Sequence, residues 1–363
     1  MESPLKYFAE LTDPRVERTR EHLLEEILLI AIAAVLSGAS GWNEIEDYGK
    51  AKREWLSTFL RLPAGIPSHD TFNRVFSALD PEELEKGFVG WVASIAQLTA
   101  GEVVAIDGKA LRGTRQAGKT LVHLVSAWAN QNNLVLAQRR VDDKSNEITA
   151  IPKLLQMLEL SGTVVTIDAM GCQRTIAQKI VDQKADYILA VKENQGHLLE
   201  EIQDSFRMLA VDAVAEEVDG GHGRVERRTC SVIGDLSLLE KASQWPSLQG
   251  MVRIEAERFH KATGTTERET RYYITSLPPQ AAPLNRAIRQ HWGIENKLHW
   301  VLDVAFGEDL SRKRQGHAAQ NFSLLNRIAL NLLRQDKTCK LGIHGKRLKA
   351  GWDNRYLLKL LTI

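Results

Sequence analysis

The chain predicts a mixed α/β sheet flanked by helices, with an all-helical stretch before it and a β-rich insertion ahead of a last helical part. Three observations carry that reading. Residues 1–98 hold helix-length amphipathic stretches without an alternating strand pattern. From Glu102 onward, short apolar runs alternate with segments long enough for helices. Residues 192–283 return strand-like pieces with glycine turns, and helical periodicity resumes at Leu284. The resulting divisions are 1–98, 99–191, 192–283 and 284–363.

In the first division, Gly38-Ala-Ser-Gly41, Pro63-Ala-Gly65 and Asp80-Pro81 separate the helical stretches. The run from Ile27 to Leu36 has ten apolar residues, too few to span a bilayer, and predicts a buried core helix. Ser68 is a good N-cap for a helix running through Phe76. Following a tight turn, that helix is either the recognition element of a helix-turn-helix or a packing module.

In the second division, strands are expected at 102–107, about 120–129 and 133–141, with turn chemistry at Asn130-Gln-Asn-Asn133 making the last two a hairpin. An amphipathic helix at 148–160 leads to a strand at 163–167, and a helix at about 172–184 leads to a strand at 187–191. The order β-β-β-α-β-α-β, one hairpin followed by crossover helices, is that of the ribonuclease-H-like fold. In that order the first and fourth strands lie side by side. The insertion at 192–283 has strand-like pieces at 227–233, 251–254 and 270–275, with Gly220-Gly-His-Gly223 as a turn. A helix at 284–300 follows it.

Cys172, Cys230 and Cys339 are few and unclustered, which argues against a disulfide framework or a zinc site and fits a reducing cytoplasm. The start, Met1-Glu-Ser-Pro, lacks the basic-then-apolar profile of a signal peptide, and with the apolar run Ile27–Leu36 too short to span a bilayer no membrane partner is expected. Net charge is only +1, yet residues 311–363 hold twelve Lys or Arg against two Asp. A basic tail beside a net acidic body suits a segment that tracks phosphates, and suits a solvated helical face as well.

Three acids stand out by position. Asp107 and Asp168 each close a strand, and Glu295 lies inside the last helix. Carboxylates at strand ends project from a rigid scaffold, and three of them suffice for the pair of divalent ions that drives phosphodiester chemistry. Taken singly, Asp107 is also a turn former, Asp168 a helix cap and Glu295 an exposed helical residue. Asp303 and Glu308-Asp309 rival Glu295 for the third place. His291, Glu295 and His299 recur at i, i+4, i+8 on one helix face, without the spacing of a zinc motif. Lys109 and Arg112 follow Asp107 and are candidate phosphate contacts, as are His222 and Arg224 in the glycine-rich turn.

Over nearly its whole length the chain resembles DDE-type insertion-sequence transposases, particularly the branch that includes the H-repeat-associated proteins. The resemblance rests on Ala105-Ile-Asp-Gly-Lys-Ala-Leu-Arg112, Thr166-Ile-Asp-Ala-Met-Gly-Cys-Gln173, Lys192-Glu-Asn-Gln195, Gly221-His-Gly-Arg-Val-Glu-Arg227 and His291-Trp-Gly-Ile-Glu-Asn-Lys-Leu-His-Trp-Val-Leu-Asp303, and on the N-terminal Gly65-Ile-Pro-Ser-His-Asp-Thr-Phe72. It implies that Asp107, Asp168 and Glu295 are the catalytic, metal-binding acids. Two Mg²⁺ ions, replaceable by Mn²⁺, are the implied cofactors. The implied partners are double-stranded DNA, as element terminal inverted repeats and as target, and a second copy of the chain in the synaptic complex. Related transposases place a Tyr and an Arg before the final Glu and a Lys after it. Here His291 stands where that Arg would fall and Leu302 where that Lys would, which leaves Arg289 or Lys297 to hold phosphate. Lys109, Arg112 and Lys192 complete the expected DNA contacts with Arg312 and Arg314, and several of Arg312, Lys313, Arg314, Arg327 and Arg334 are expected to border the acid site. A stand-alone nuclease on the same fold and a catalytically silent DNA-binding relic are the alternatives.

Overall fold

Aliphatic and β-branched runs form the centre of a nine-stranded sheet. In the computed structural model, which describes residues 3–361 other than 117–120, 143–144 and 222, helices come first. They are α1 (Leu24–Leu36), α2 (Trp42–Ala51), α3 (Arg53–Leu56), α4 (His69–Ala78) and α5 (Pro81–Ile95). The run from Ile27 to Leu36 is buried throughout, as its composition predicts. Ser68 caps α4 by accepting from the Thr71 amide, and Phe72, Val75 and Phe76 are the face α4 buries. Among the described residues no helix is long and apolar enough to cross a membrane.

Strands β1 (Val103–Ala110), β2 (His123–Ala129) and β3 (Leu134–Arg140) follow. Next come α6 (Glu147–Gln156), β4 (Val164–Ile167), α7 (Arg174–Asp182), β5 (Asp186–Val191) and α8 (Gly196–Met208). The expected order β-β-β-α-β-α-β is present, and β1 and β4 are parallel neighbours with Ile106 opposite Ile167. Asp107 and Asp168 are therefore each one step past that pair. The expectation that Asp107 ends its strand needs correcting. β1 runs on to Ala110 because β2 keeps pairing with it as far as His123, whereas β4 stops at Ile167. Asp107 sits where its strand loses one neighbour and keeps the other.

The insertion holds β6 (Ala213–Gly221), β7 (Arg224–Ile233), β8 (Gly250–His260) and β9 (Thr265–Thr275). These strands extend the central sheet: β9 pairs antiparallel with β5, giving the order β3-β2-β1-β4-β5-β9-β8-β7-β6. β6 escaped notice in the sequence because Ala-Val-Ala-Glu-Glu-Val-Asp-Gly-Gly offers little apolar alternation. Of the turn after it, His222 lies outside the described residues.

The helix expected over 284–300 is three pieces. α9 (Ala281–His291) gives way to a π-helical segment, Ile294–His299, and then to α10 (Trp300–Phe306). Segments with i→i+5 bonds rotate side chains off the ordinary helix face and are frequent at functional sites. The chain ends in α11 (Ala318–Gln335), α12 (Ile343–Trp352) and α13 (Asn354–Leu361). α11 is buried along nearly its whole length and packs on α1, α4, α5 and β3, joining the N-terminal helices to the sheet.

Candidate active site

Asp107, Asp168 and Glu295 line one pocket of about 200 Å³, together with Lys192, His291 and Trp292. Three elements deliver the acids: β1, the end of β4, and the π-helical turn after α9. Burial pushes the Asp107 carboxyl up to about 7, reinforced by the charges of Asp168, Glu147 and Glu295. Asp168 is raised as well, first by burial and then by Glu147, against which Lys192 acts. The Asp168 Oδ1 is buried without a hydrogen-bond partner. Asp107 and Asp168 are half-buried and Glu295 is exposed. Carboxylates of like charge facing one pocket, one with an orphaned oxygen, are the donor set a hard divalent cation satisfies.

Among the described residues the one set of His and carboxylate ligand atoms all within 4.8 Å of one another is His197, Glu201 and Glu240 on the surface. The three pocket acids are therefore spread more widely than that set. Their rivals are engaged elsewhere. Lys109 is buried and bonds Asp303, with Glu308 at 3.4 Å and Asp309 at 3.8 Å. That network fixes Lys109 beneath a carboxylate cluster, so it is not presented to a phosphate. Arg112 is exposed, 3.5 Å from Asp309.

The two histidines flank the pocket as neutral groups. His291 Nδ1 lies 2.9 Å from the Thr166 hydroxyl, and burial lowers its pKa to about 4. His299 Nδ1 is 3.5 Å from Asp107 Oδ2; burial, then the charges of Arg327 and Lys109, lower it to about 3.

Glu147, absent from the sequence reading, is the fourth acid here. It begins α6 behind the Asn146 cap, which accepts from the Ile148 amide. Its Oε1 is 3.0 Å from His123 Nε2. A Cβ on Gly108 would collide with this carboxylate, so glycine lets it approach beside Asp107. The Asn-Glu pair marks a helix start in the sequence, but nothing there says that the helix aims at Asp107. Gly293 is a second close approach, where a Cβ would strike the Asn130 side chain.

The remaining expected contacts scatter. Arg289 is paired with Asp219 at 2.7 Å, and Lys297 with Arg224 lines a larger groove beside the pocket. Of Arg312, Lys313, Arg314, Arg327 and Arg334, none lines the acid pocket or that groove. Arg312 is exposed, and Arg314 donates to the Gly113 carbonyl at 3.0 Å.

A family model described as a transposase DDE domain matches residues 99–332, and a second, described as associated with that domain, matches residues 5–92. The chain belongs to the DDE transposase family. It is 40% identical to the transposase-named protein YncI of Escherichia coli O157:H7, over 100% of this chain and 95% of that one. It is 38% identical to the H repeat-associated, transposase-named protein YhhI of Escherichia coli (strain K12), over 99% of this chain and 97% of that one. It is an insertion-sequence transposase of the DDE type, a family that uses divalent metal ions and binds DNA.

Proposed function

We propose that this transposase cuts DNA at the ends of its element and joins the freed ends to target DNA, with Asp107, Asp168 and Glu295 as the acids that hold two Mg²⁺ ions. The observation that carries the reading is the convergence of the three acids, from three separate elements, in one pocket where burial and like charge raise Asp107 to about 7. Such a pocket is disfavoured empty of cations and favoured filled. When bound, the ions supply a nucleophilic water at neutral pH and steady the leaving oxygen.

The remaining roles belong to the chain. Neutral His299 sits against Asp107 and neutral His291 against Thr166, so neither adds cationic charge to the pocket. Lys192 sets a positive charge beside Asp168. In the first step a water oxygen bonds to phosphorus as the bond to the 3′ oxygen breaks, freeing a 3′-OH. In the second, that 3′-OH attacks a target phosphodiester and displaces the target's own 3′ oxygen. Double-stranded DNA enters as terminal repeats recognised by the helices of residues 1–98 and as target, in a synaptic complex of two copies.

The test is cleavage and strand transfer on a labelled duplex taken from the inverted repeats that bound the gene. Asp107→Ala, Asp168→Ala and Glu295→Ala should each abolish both steps while duplex binding persists. Mn²⁺ should replace Mg²⁺, whereas Ca²⁺ should support binding with little chemistry. Wild-type rates in any of the three variants would show that the wrong acids are named. Cleavage without joining of pre-cut ends would favour a stand-alone nuclease.

A further inference from the structure

Strand alternation gives β7, β8 and β9 two charged faces. One of them turns toward α9 and the π-helical segment and closes a groove of about 750 Å³. Glu295, Arg271 and Trp292 line both this groove and the acid pocket, so the two are continuous.

Most charges on the groove face are matched. Arg258 lies 3.5 Å from Glu226 and 3.2 Å from Glu269. Arg271 lies 2.6 Å from Glu269 and stacks over Trp292 at 4.6 Å. Arg289 holds Asp219, and Glu217 accepts from Asn285 at 3.4 Å. Among the buried charges of the groove, Arg228 is the exception. It is 5% exposed, its Nε has no hydrogen-bond partner, and among the described residues no carboxylate is within ion-pair distance of it. The ionisable groups around it are Tyr273, Arg289, Glu226 and Arg271. A buried, unmatched guanidinium beside two further arginines is costly for folding alone. It is what a site for a doubly coordinated oxyanion requires.

We propose that Arg228, with Arg271 and Arg289 beside it, seats a backbone phosphate of the DNA strand that lies in this groove and runs on to Glu295. The site rests on the transposase reading above and adds a phosphate contact on the β6–β9 part of the sheet. Because phosphate contacts position DNA without reading sequence, the seat holds strands of any sequence in register with the acids.

The experiment measures fluorescence anisotropy of a fluorescein-labelled duplex of mixed sequence, with Ca²⁺ in place of Mg²⁺, titrated over a range of salt. Arg228→Met should weaken binding about tenfold, the scale of a lost hydrogen bond to a charged group. It should also reduce the slope of log affinity against log salt by about one. The melting temperature of the same variant should stay level or rise, because an uncompensated buried charge is gone. Arg268→Met, on the opposite face, should bind as the parent does. Equal affinity of Arg228→Met and the parent would overturn the proposal. Weaker binding accompanied by a lower melting temperature would also overturn it, by assigning Arg228 to the sheet's packing. A parent protein that leaves the duplex unbound would sink the DNA reading itself, a result distinguishable from a bound parent matched by its variant.

Discussion

Residues 311–363 carry twelve Lys or Arg against two Asp, whereas β7–β9 interleave arginines and glutamates nearly one for one. By composition the first region is the DNA-binding surface and the second is neutral scaffold. In the structure several cations of the first region are engaged by the chain's own groups, while Arg312, Arg314, Lys337, Lys340, Arg355 and Lys359 are exposed. Arg327, fully buried, donates to Glu308 at 2.8 Å. Arg347 donates to the carbonyls of Val35 and Ala39, and Lys346 to those of Leu333 and Asp336, closing the ends of α1 and α11. Lys313 lies 3.5 Å above the Phe322 ring, and burial lowers its pKa to about 8. These cations complete helix C-termini and line ring faces, where the unpaired carbonyls and the dipole favour positive charge. In β7–β9 the near balance of signs conceals a buried arginine, Arg228, that no acid meets within ion-pair distance. An excess of charge and an available charge are different quantities, and only pairing tells them apart.

The sharpest way to break this comparison is to remove a brace. Arg327→Met removes the nearer of two buried cations from Glu308, 2% exposed, leaving Lys109 at 3.4 Å. Glu308 also accepts from the Ser323 hydroxyl at 2.7 Å, and the charges of Arg327 and Lys109 hold its pKa down to about 2 against the pull of burial. Breaking one side of such a pair costs about 3–5 kcal/mol. Urea unfolding should show that loss, with the slope of DNA affinity against salt unchanged in the protein that remains folded. A stable variant with a reduced salt slope would return the C-terminal segment to the DNA-binding role that its composition suggests.

A smaller effect of opposite sign is expected at the acid pocket, where the unmatched charge is negative. Asp107 has an ordinary value of 3.8 and rises to about 7 in the fold. A carboxyl raised in this way contributes stability while it is protonated. That contribution is complete below about 3.8 and is lost as pH climbs through about 7. In a chelator above pH 7, Asp107→Asn should therefore be more stable than the parent, on the order of a few kcal/mol. The gap should narrow as pH falls toward the carboxylate's ordinary value. Adding Mg²⁺ should raise the parent's melting temperature and not the variant's, because only the parent's stability gains from ion binding. An Asn variant that is less stable in chelator at high pH would mean that Asp107 is a structural acid.

What the sequence made legible divides along the same line. Asp107 and Asp168 were found because each follows an apolar run, and strand order then made them neighbours. Glu295 needs its motif, since a lone helical glutamate carries no signal, and the π-helical segment that carries it to the pocket, still exposed, has no signature in residues 294–299. Glu147 and Arg228 were missed for a common reason. Each depends on an arrangement across the fold: Glu147 on its approach to Gly108 of β1, and Arg228 on the acids of the neighbouring strands lying beyond ion-pair distance of it. Periodicity reports which face a side chain takes, and says nothing of whether that face will supply a partner.

The smallest expected effect lies on the far face of the same strands. There Arg227 pairs with Glu216 at 2.7 Å and Arg268 with Glu257 at 2.7 Å, all four well exposed. Cross-strand pairs in water gain little, because solvent screens them and two long side chains must be held in place. Arg268→Met, Glu257→Gln and the double variant should unfold at nearly the parent's temperature, and a double-mutant cycle should give a coupling near the limit of detection. Arg228 lies one position from Arg227 along β7, yet it faces the groove. If Arg268→Met lowered DNA affinity as much as Arg228→Met, the strands would be acting through total charge rather than through one unmatched guanidinium. The contrast between the two faces would then have no functional meaning.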